Sequence, residues 1–149
     1  MKIINRKFGR EYKEIEKYEA GIVLTGPEVK SVKAGRIRFE GAFVRLLGSE
    51  VYLVNAEIPV YQYAQSTNYD PRRTRKLLLH KKEVVRLKTK LSGAPGLTIV
   101  PVSCYNKRGL IKLEIALVKG RRDIEKRKRE KARDIKRAID REIKEYVRT

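Results

Sequence analysis

Four cationic side chains lie within five consecutive residues near the middle of the chain: Arg72, Arg73, Arg75 and Lys76. The preceding Asp70-Pro71 pair is typical of a turn or loop. A guanidinium group binds phosphate through two parallel hydrogen bonds and also stacks on bases, which makes arginine the preferred side chain for nucleic acid. The segment therefore predicts a loop that contacts nucleic acid. A charge run of this kind also occurs as plain solvated surface.

Apolar and aromatic residues flank this basic segment on both sides. Leu77, Leu78 and Leu79 follow it, and we expect them to anchor the far end of the loop in the core. Upstream and within the same region lie tyrosines that could offer stacking faces to single-stranded or loop RNA, or could equally be core or rim residues: Tyr61, Tyr63 and Tyr69.

Other residue combinations give little support to an enzyme. Glu28-Val29-Lys30 has the form of half a nuclease metal site, but such a site needs an upstream aspartate, and the first aspartate is Asp70. One cysteine, Cys104, and one histidine, His80, are too few for a zinc site, an internal disulfide or a Cys-His catalytic pair. No glycine-rich G-x-x-x-x-G-K-[ST] loop occurs. We therefore expect no metal, no organic cofactor and no catalytic activity.

The charge of the whole chain indicates a polyanionic partner. Its 149 residues include 37 Lys or Arg and 18 Asp or Glu, a net charge of +19. With 41% hydrophobic residues the chain can still bury one core. The sequence contains no apolar stretch long enough to span a membrane and no secretory signal, so we expect a cytoplasmic protein.

The composition changes after Gly120. Residues 121–149 hold 13 Lys or Arg and 7 Asp or Glu, a net charge of +6 that leaves +13 for residues 1–120. From Ile135 onward aliphatic residues recur every four positions, a helical stripe one residue wide that buries little. We expect a tail that is disordered when free and helical on a partner surface, with a solvated helix docked on the body as the alternative.

Residues 1–120 have the pattern of a mainly β domain. Short segments rich in Val, Ile, Leu and Tyr predict antiparallel strands at 15–24, 42–47, 51–58, 97–105 and 110–118. Two helices are expected, one at 25–35 with Pro27 near its start and Gly35 past its end, and one beginning near His80. Five or six strands with few helices predict a small closed antiparallel barrel, of which the oligonucleotide-binding type is one candidate.

Several motifs together resemble the SsrA-binding protein family, SmpB. The first is Tyr18-Glu19-Ala20-Gly21-Ile22-Val23-Leu24, with Glu28-Val29-Lys30-Ser31 after it. The second runs from Asp70-Pro71-Arg72 through Leu77-Leu78-Leu79-His80-Lys81, and the two ends match at Asn5-Arg6-Lys7 and Lys119-Gly120-Arg121-Arg122. The resemblance covers nearly the whole chain in the same order.

This resemblance implies a monomeric bacterial protein that binds transfer-messenger RNA and delivers it to stalled ribosomes in trans-translation. The protein and the tRNA-like part of the RNA would together imitate a tRNA, and the tail would lie in the empty mRNA channel near ribosomal RNA. The RNA-binding residues that the resemblance implies are Asn5, Arg6, Lys7, Glu19, Lys30, Arg72, Arg73, Arg75, Lys76 and Leu78. Of these, Glu19 would orient an arginine, accept from a base or a 2′-hydroxyl, or form a structural salt bridge, and Leu78 would support the loop by packing.

In the tail the same resemblance implies a set of ribosome-binding residues: Glu125, Lys126, Arg127, Lys131, Arg133, Lys136 and Arg137. Ile124 departs from the family, in which His or Tyr is frequent at this position. A ribosomal or ribosome-assembly protein is the alternative, because it would share the barrel and the basic tail. A DNA-compacting protein would account for the charge but not for the loop.

Overall fold

The computed structural model describes residues 1–63, 68–120 and 139–144. Seven strands are present: β1 (Lys2–Ile4), β2 (Tyr12–Ile22), β3 (Phe43–Leu47), β4 (Glu50–Val54), β5 (Arg75–Leu78), β6 (Leu97–Lys107) and β7 (Leu110–Gly120). Three helices lie between them: α1 (Phe8–Glu11), α2 (Gly26–Lys33) and α3 (Lys81–Gly93). Residues 139–144 are also helical and are exposed.

The strands form a closed antiparallel barrel. Six of them pair in the ring order β6-β3-β4-β5-β2-β7, and β7 pairs again with β6 to complete the circle. The short β1 pairs with the part of β6 that β3 does not cover, with Lys2 opposite Tyr105. Each of the six strands has a partner on both sides, so the ring is closed, which confirms the predicted fold class.

Turn chemistry explains the clearest hairpin. Arg108 and Gly109 link β6 to β7 in two residues, and both have positive φ, at 52° and 82°. Two consecutive positive φ values match the twist of the flanking strands, and glycine adopts such a value without a steric penalty. The hairpin predicted between residues 106 and 109 is therefore confirmed.

Both predicted helices are present, and side chains cap the start of α2. At the start of α2 the Thr25 hydroxyl accepts from the Glu28 amide at 3.4 Å, and the Glu28 carboxylate accepts from the Thr25 amide at 2.9 Å. This reciprocal pair satisfies two amides that the helix itself leaves free. In α3, Val84 and Leu87 are buried, as the helical spacing predicts.

The core consists of two clusters. The main cluster fills the barrel and includes side chains from α2 and α3, such as Val32 and Leu87. A smaller cluster lies on the other face of β6 and β7, where Phe8 and Tyr12 pack on Val100, Val102, Ala116 and Val118. The α1 segment, which the sequence did not predict, thus covers a second apolar face.

Strand β5 corrects the prediction of a loop at the basic segment. The loop ends at Thr74, and from Arg75 the chain alternates between the barrel interior and its surface. Arg75 and Leu77 are buried, whereas Lys76 and Leu78 are exposed. The expectation that all three leucines anchor the segment in the core is therefore wrong for Leu78, whose residue is 55% exposed.

Candidate nucleic-acid interface

The barrel surface carries a row of residues that crosses five adjacent strands, here called the cross-strand row. Backbone pairing places Leu78 opposite Gly21, Gly21 opposite Lys112, Lys112 opposite Tyr105, and Tyr105 opposite Lys2. Because side chains alternate along a strand and the neighbouring Ala20 and Leu113 are fully buried, Gly21 and Lys112 face outward. The row therefore combines two lysines, an aromatic ring, an exposed leucine and a bare stretch of backbone.

Glu19 lies beside this row on β2, two residues before Gly21 and on the same face of the sheet. Its carboxylate accepts a hydrogen bond from the Tyr105 hydroxyl, and the Lys107 ammonium is 3.4 Å away. The Tyr105 hydrogen bond, followed by that from Lys107, lowers the pKa of Glu19. The partners of Glu19 in the described structure are thus a tyrosine and a lysine, rather than the arginine considered from the sequence. Its charge at neutral pH fixes both of those side chains on the outer surface.

The structure brings Lys112 into this group, although the sequence analysis did not single it out. Lys112 is separated from Leu78 by more than thirty positions in the chain, yet only Gly21 lies between them on the sheet. The alternation of Ile111, Leu113, Ile115 and Leu117 identified the buried face of β7 in the sequence. The outward position of Lys112 follows from that alternation, but its neighbours require the strand register.

The N-terminal candidates divide into one anchor and two exposed cations. The Asn5 side-chain amide donates to the Pro101 carbonyl at 2.9 Å, and its backbone amide donates to the Val102 carbonyl at 2.8 Å. Arg6 and Lys7 are exposed in the turn that follows. Asn5 therefore holds the turn on β6, and the turn presents the two cations to solvent.

A second group lies where the start of α2 meets the basic segment, and we call it the Glu28 corner: Glu28, Arg73 and Arg75. Glu28 is 1% exposed, and Arg75 is completely buried. The Glu28 Oε2 atom lies 2.8 Å from Arg75 Nε and 2.6 Å from Arg75 Nη2. The Arg75 guanidinium also donates to the carbonyls of Ala56 at 2.8 Å and Pro71 at 3.1 Å. Arg75 is therefore fully occupied by the protein.

Arg73 takes the other oxygen of the same carboxylate. Its Nη2 atom lies 2.5 Å from Glu28 Oε1, while 43% of its side chain remains exposed. Burial raises the pKa of Glu28, but the hydrogen bonds from Arg73, the Thr25 amide and Arg75 together outweigh it, so the pKa lies below the ordinary 4.5. Glu28 thus remains ionised at neutral pH and holds Arg73 at the surface.

The sequence analysis did not include Glu28 among the candidate nucleic-acid residues. The sequence contains one signal for it, the spacing of Thr25 and Glu28 typical of a capping box. That signal predicts the helix start but not the two arginines, which lie 45 and 47 residues further along the chain. The carboxylate is occupied by these partners, so it does not form the half metal site weighed in the sequence. Among the described residues no group of His, Cys, Asp or Glu is arranged to hold a metal ion.

The remaining candidates of the body are exposed around the corner. Arg72 donates to the Asn55 side chain at 3.0 Å, and its amide donates to the Asp70 carboxylate at 2.9 Å. The Lys76 ammonium lies 3.5 Å from the Glu50 carboxylate. The Lys30 ammonium lies 5.7 Å from the centre of the Tyr61 ring. These cations keep solvent-facing surface that a phosphate can reach.

The tail candidates cannot be placed in the fold. Glu125, Lys126, Arg127 and the four further cations up to Arg137 all lie outside the described residues, as does Ile124. Within residues 1–63, 68–120 and 139–144, no helix is long and apolar enough to cross a membrane.

Comparison with known proteins assigns a family to this barrel. The family model described as "SmpB protein" matches residues 2–145. The chain belongs to the SmpB family. The match covers both the cross-strand row and the Glu28 corner, and it confirms the family resemblance found in the sequence.

Individual SmpB relatives agree over nearly the full length. An "SsrA-binding protein" of Thermosipho melanesiensis is 47% identical over 152 residues, covering 99% of each chain. One of Streptococcus mutans is 44% identical over 142 residues, covering 95% of this chain and 91% of the relative. A solved chain described as "tmRNA-SmpB: a journey to the center of the bacterial ribosome" superposes with a TM-score of 0.67 at 45% identity, covering 80% of this chain and 83% of that one.

Proposed function

We propose that this chain binds transfer-messenger RNA and brings it to stalled ribosomes for trans-translation. The observation that carries the proposal is the match at 45% identity to an SmpB chain described together with tmRNA and the bacterial ribosome. The exposed cations of the barrel support it, because lysine and arginine that reach phosphate supply most of the affinity of an RNA-binding protein. Translation takes place in the bacterial cytoplasm, so we place the chain there.

The mode of action we propose is binding without catalysis. The row and the corner offer cations, an aromatic ring and hydrogen-bond donors, which are groups that hold structured RNA. Together with the RNA, the barrel would stand in the place of a tRNA segment on the ribosome. We assign RNA contacts to Arg6, Lys7, Lys30, Arg72, Arg73 and Lys76, and supporting roles to Asn5, Glu19 and Arg75, with Leu78 and Lys112 as contacts of the row.

We further propose a division of labour at Gly120. The barrel of residues 1–120 would bind the RNA, and residues 121–149, with their net charge of +6, would enter the mRNA channel of the ribosome. Ribosome contacts would then come from the tail residues, including Lys126, Arg127 and Lys131.

Competition binding tests the RNA partner. The full-length chain is bound to the labelled tRNA-like domain of transfer-messenger RNA and challenged with excess tRNA and, separately, with duplex DNA. We expect the complex to survive both competitors. Equal displacement by every competitor would show a general polyanion binder and would overturn the proposal.

Truncation after Gly120 tests the division of labour. All seven strands of the barrel end at or before Gly120, so we expect affinity for the isolated RNA to stay within a few fold while trans-translation on stalled ribosomes is lost. A large loss of RNA affinity would instead place the tail in the RNA site.

A further inference from the structure

Two tyrosines beside α2, Tyr61 and Tyr63, lie outside the barrel core. Tyr63 is 76% exposed, the largest exposed fraction among the described hydrophobic side chains. Its ring contacts that of Tyr61 edge to face, with the centres 5.4 Å apart and the planes at 69°. In such a geometry Tyr61 covers at most one face of Tyr63, so at least one face of the Tyr63 ring is free of its neighbour.

The segment that carries these rings is fixed to the barrel just before them. The Ser31 hydroxyl donates to the Pro59 carbonyl at 2.6 Å, and Tyr69 donates to the Ile58 carbonyl at 2.6 Å. The Ile58 amide in turn donates to the Pro71 carbonyl at 2.8 Å. Residues 58 and 59 are therefore tied both to α2 and to the basic segment, and the tyrosines extend from a supported base.

Two cations lie close to the pair. Lys30 lies over the Tyr61 ring at 5.7 Å from its centre, and Arg36 donates to the Val60 carbonyl at 3.4 Å from an exposed position. Arg73 is ion-paired with Glu28, which lies two residues before Lys30 on α2. An exposed aromatic face among cations is the combination that binds an unpaired nucleotide, because the base stacks on the ring while its phosphates meet the positive charges.

We propose that Tyr63, supported by Tyr61, stacks on one unpaired base of the bound RNA while Lys30 and Arg36 meet the adjacent phosphates. This stacking site deepens the proposed function and rests on it. Stacking accounts for the exposed ring, which a purely electrostatic surface would not need. The cations beside the pair favour a partner that carries phosphates.

Substitutions at position 63 separate stacking from electrostatics. Tyr63→Leu in the full-length chain keeps an apolar side chain but removes the ring, and we expect affinity for the tRNA-like domain of transfer-messenger RNA to fall about tenfold. The slope of affinity against salt should stay unchanged, because no phosphate contact is lost. Tyr63→Phe is the matched control and should bind within about twofold of the unchanged chain, since stacking needs the ring alone. Thermal unfolding of both variants should match the parent chain because the side chain is exposed.

A tryptophan reporter tests the contact directly. The chain contains no tryptophan, so Tyr63→Trp creates one tryptophan at the stacking position, and its emission can be excited separately from that of the tyrosines. We expect its emission to be quenched at saturating RNA, because a stacked base contacts the indole face. Unquenched emission in a complex that still forms, or an unchanged affinity of the Leu variant, would overturn the stacking site and leave the proposed function standing. Failure of the parent chain to select this RNA would instead overturn the proposed function.

Discussion

The cross-strand row and the Glu28 corner both present cations to solvent, but they are built differently. In the row, Lys2 and Lys112 share a face because of strand register, and the carboxylate beside the row, Glu19, is itself exposed. In the corner, a carboxylate that is 1% exposed holds a completely buried arginine and an exposed one. Strand pairing across the barrel therefore positions the cations of the row, whereas one ionised side chain positions those of the corner. Loss of a charge should cost affinity in the row and stability in the corner.

Removal of the buried charge gives the largest expected effect. Glu28→Gln leaves the buried Arg75 without a counter-charge, and breaking such a pair costs on the order of 3 kcal/mol in the free energy of unfolding. Urea unfolding measures this loss. The control is Glu19→Gln, which removes the exposed carboxylate of the row and should cost less than about 1 kcal/mol. Equal losses from the two variants would show that the corner does not depend on its buried charge.

Acidification should also lower the stability that the Glu28 corner contributes. The pKa of Glu28 is lower in the folded chain than its ordinary 4.5, so its contribution to stability is complete above that value. The contribution is lost as pH falls through the folded pKa. Stability measured from pH 7 downward should therefore decline more for the parent chain than for Glu28→Gln below about pH 4.5. Parallel curves for the two proteins would contradict the assignment.

Neutralising a row cation should change binding and leave stability nearly unchanged. Lys112→Gln removes one proposed phosphate contact, so the salt slope of RNA affinity should fall by about 0.9. The free energy of unfolding should change by less than about 0.5 kcal/mol. Lys88→Gln, at an exposed position on α3, is the matched control and should leave the slope unchanged. A similar change of slope in both variants would mean that total charge, not the row, determines binding.

The smallest change concerns the bare backbone of the row. A Cβ atom on Gly21 would lie 3.3 Å from the Leu78 Cβ, so Gly21→Ala would push the exposed Leu78 outward by a few tenths of an ångström. We expect a stability change within about 1 kcal/mol and a measurable loss of RNA affinity, read by filter binding. Gly9→Ala, where an added Cβ meets nothing within 4 Å, is the control. An unchanged affinity in Gly21→Ala would place the RNA elsewhere on the barrel.

The barrel could be predicted from the sequence to a large extent, because its long strands follow local rules. Strand β7 shows alternating apolar residues, β6 is a short apolar run, and a two-residue turn joins them. Helix α2 has its cap within four positions. Strand β5 was missed because its cations are typical of a loop. The counter-charge that makes a buried Arg75 favourable is Glu28, 47 residues away in the chain. The three-residue β1 was missed because its pairing with β6 has no local signal.

The sequence predicted which residue types form the candidate site, but not which of their side chains face solvent. The basic segment was found, yet its arginines divide between the surface and the interior, since Arg75 begins β5 with its side chain inward while Arg73 lies in the loop before the strand. Lys112 joined the row only through register. The family resemblance named most of the exposed cations, and it gave no information about which carboxylate holds them.

Ring closure also determines how the barrel would bear mechanical load. Strand β7 ends with Gly120 paired to Tyr12 of β2, and Lys119 lies between Lys13 of β2 and Leu97 of β6. A force applied to the chain beyond Gly120 is therefore transmitted to the barrel through β7, a strand that is hydrogen-bonded on both sides. To extract that strand, the pull must break the hydrogen-bonded ladders on both of its edges at once. The barrel is thus an anchor against tension at the point where the C-terminal segment departs.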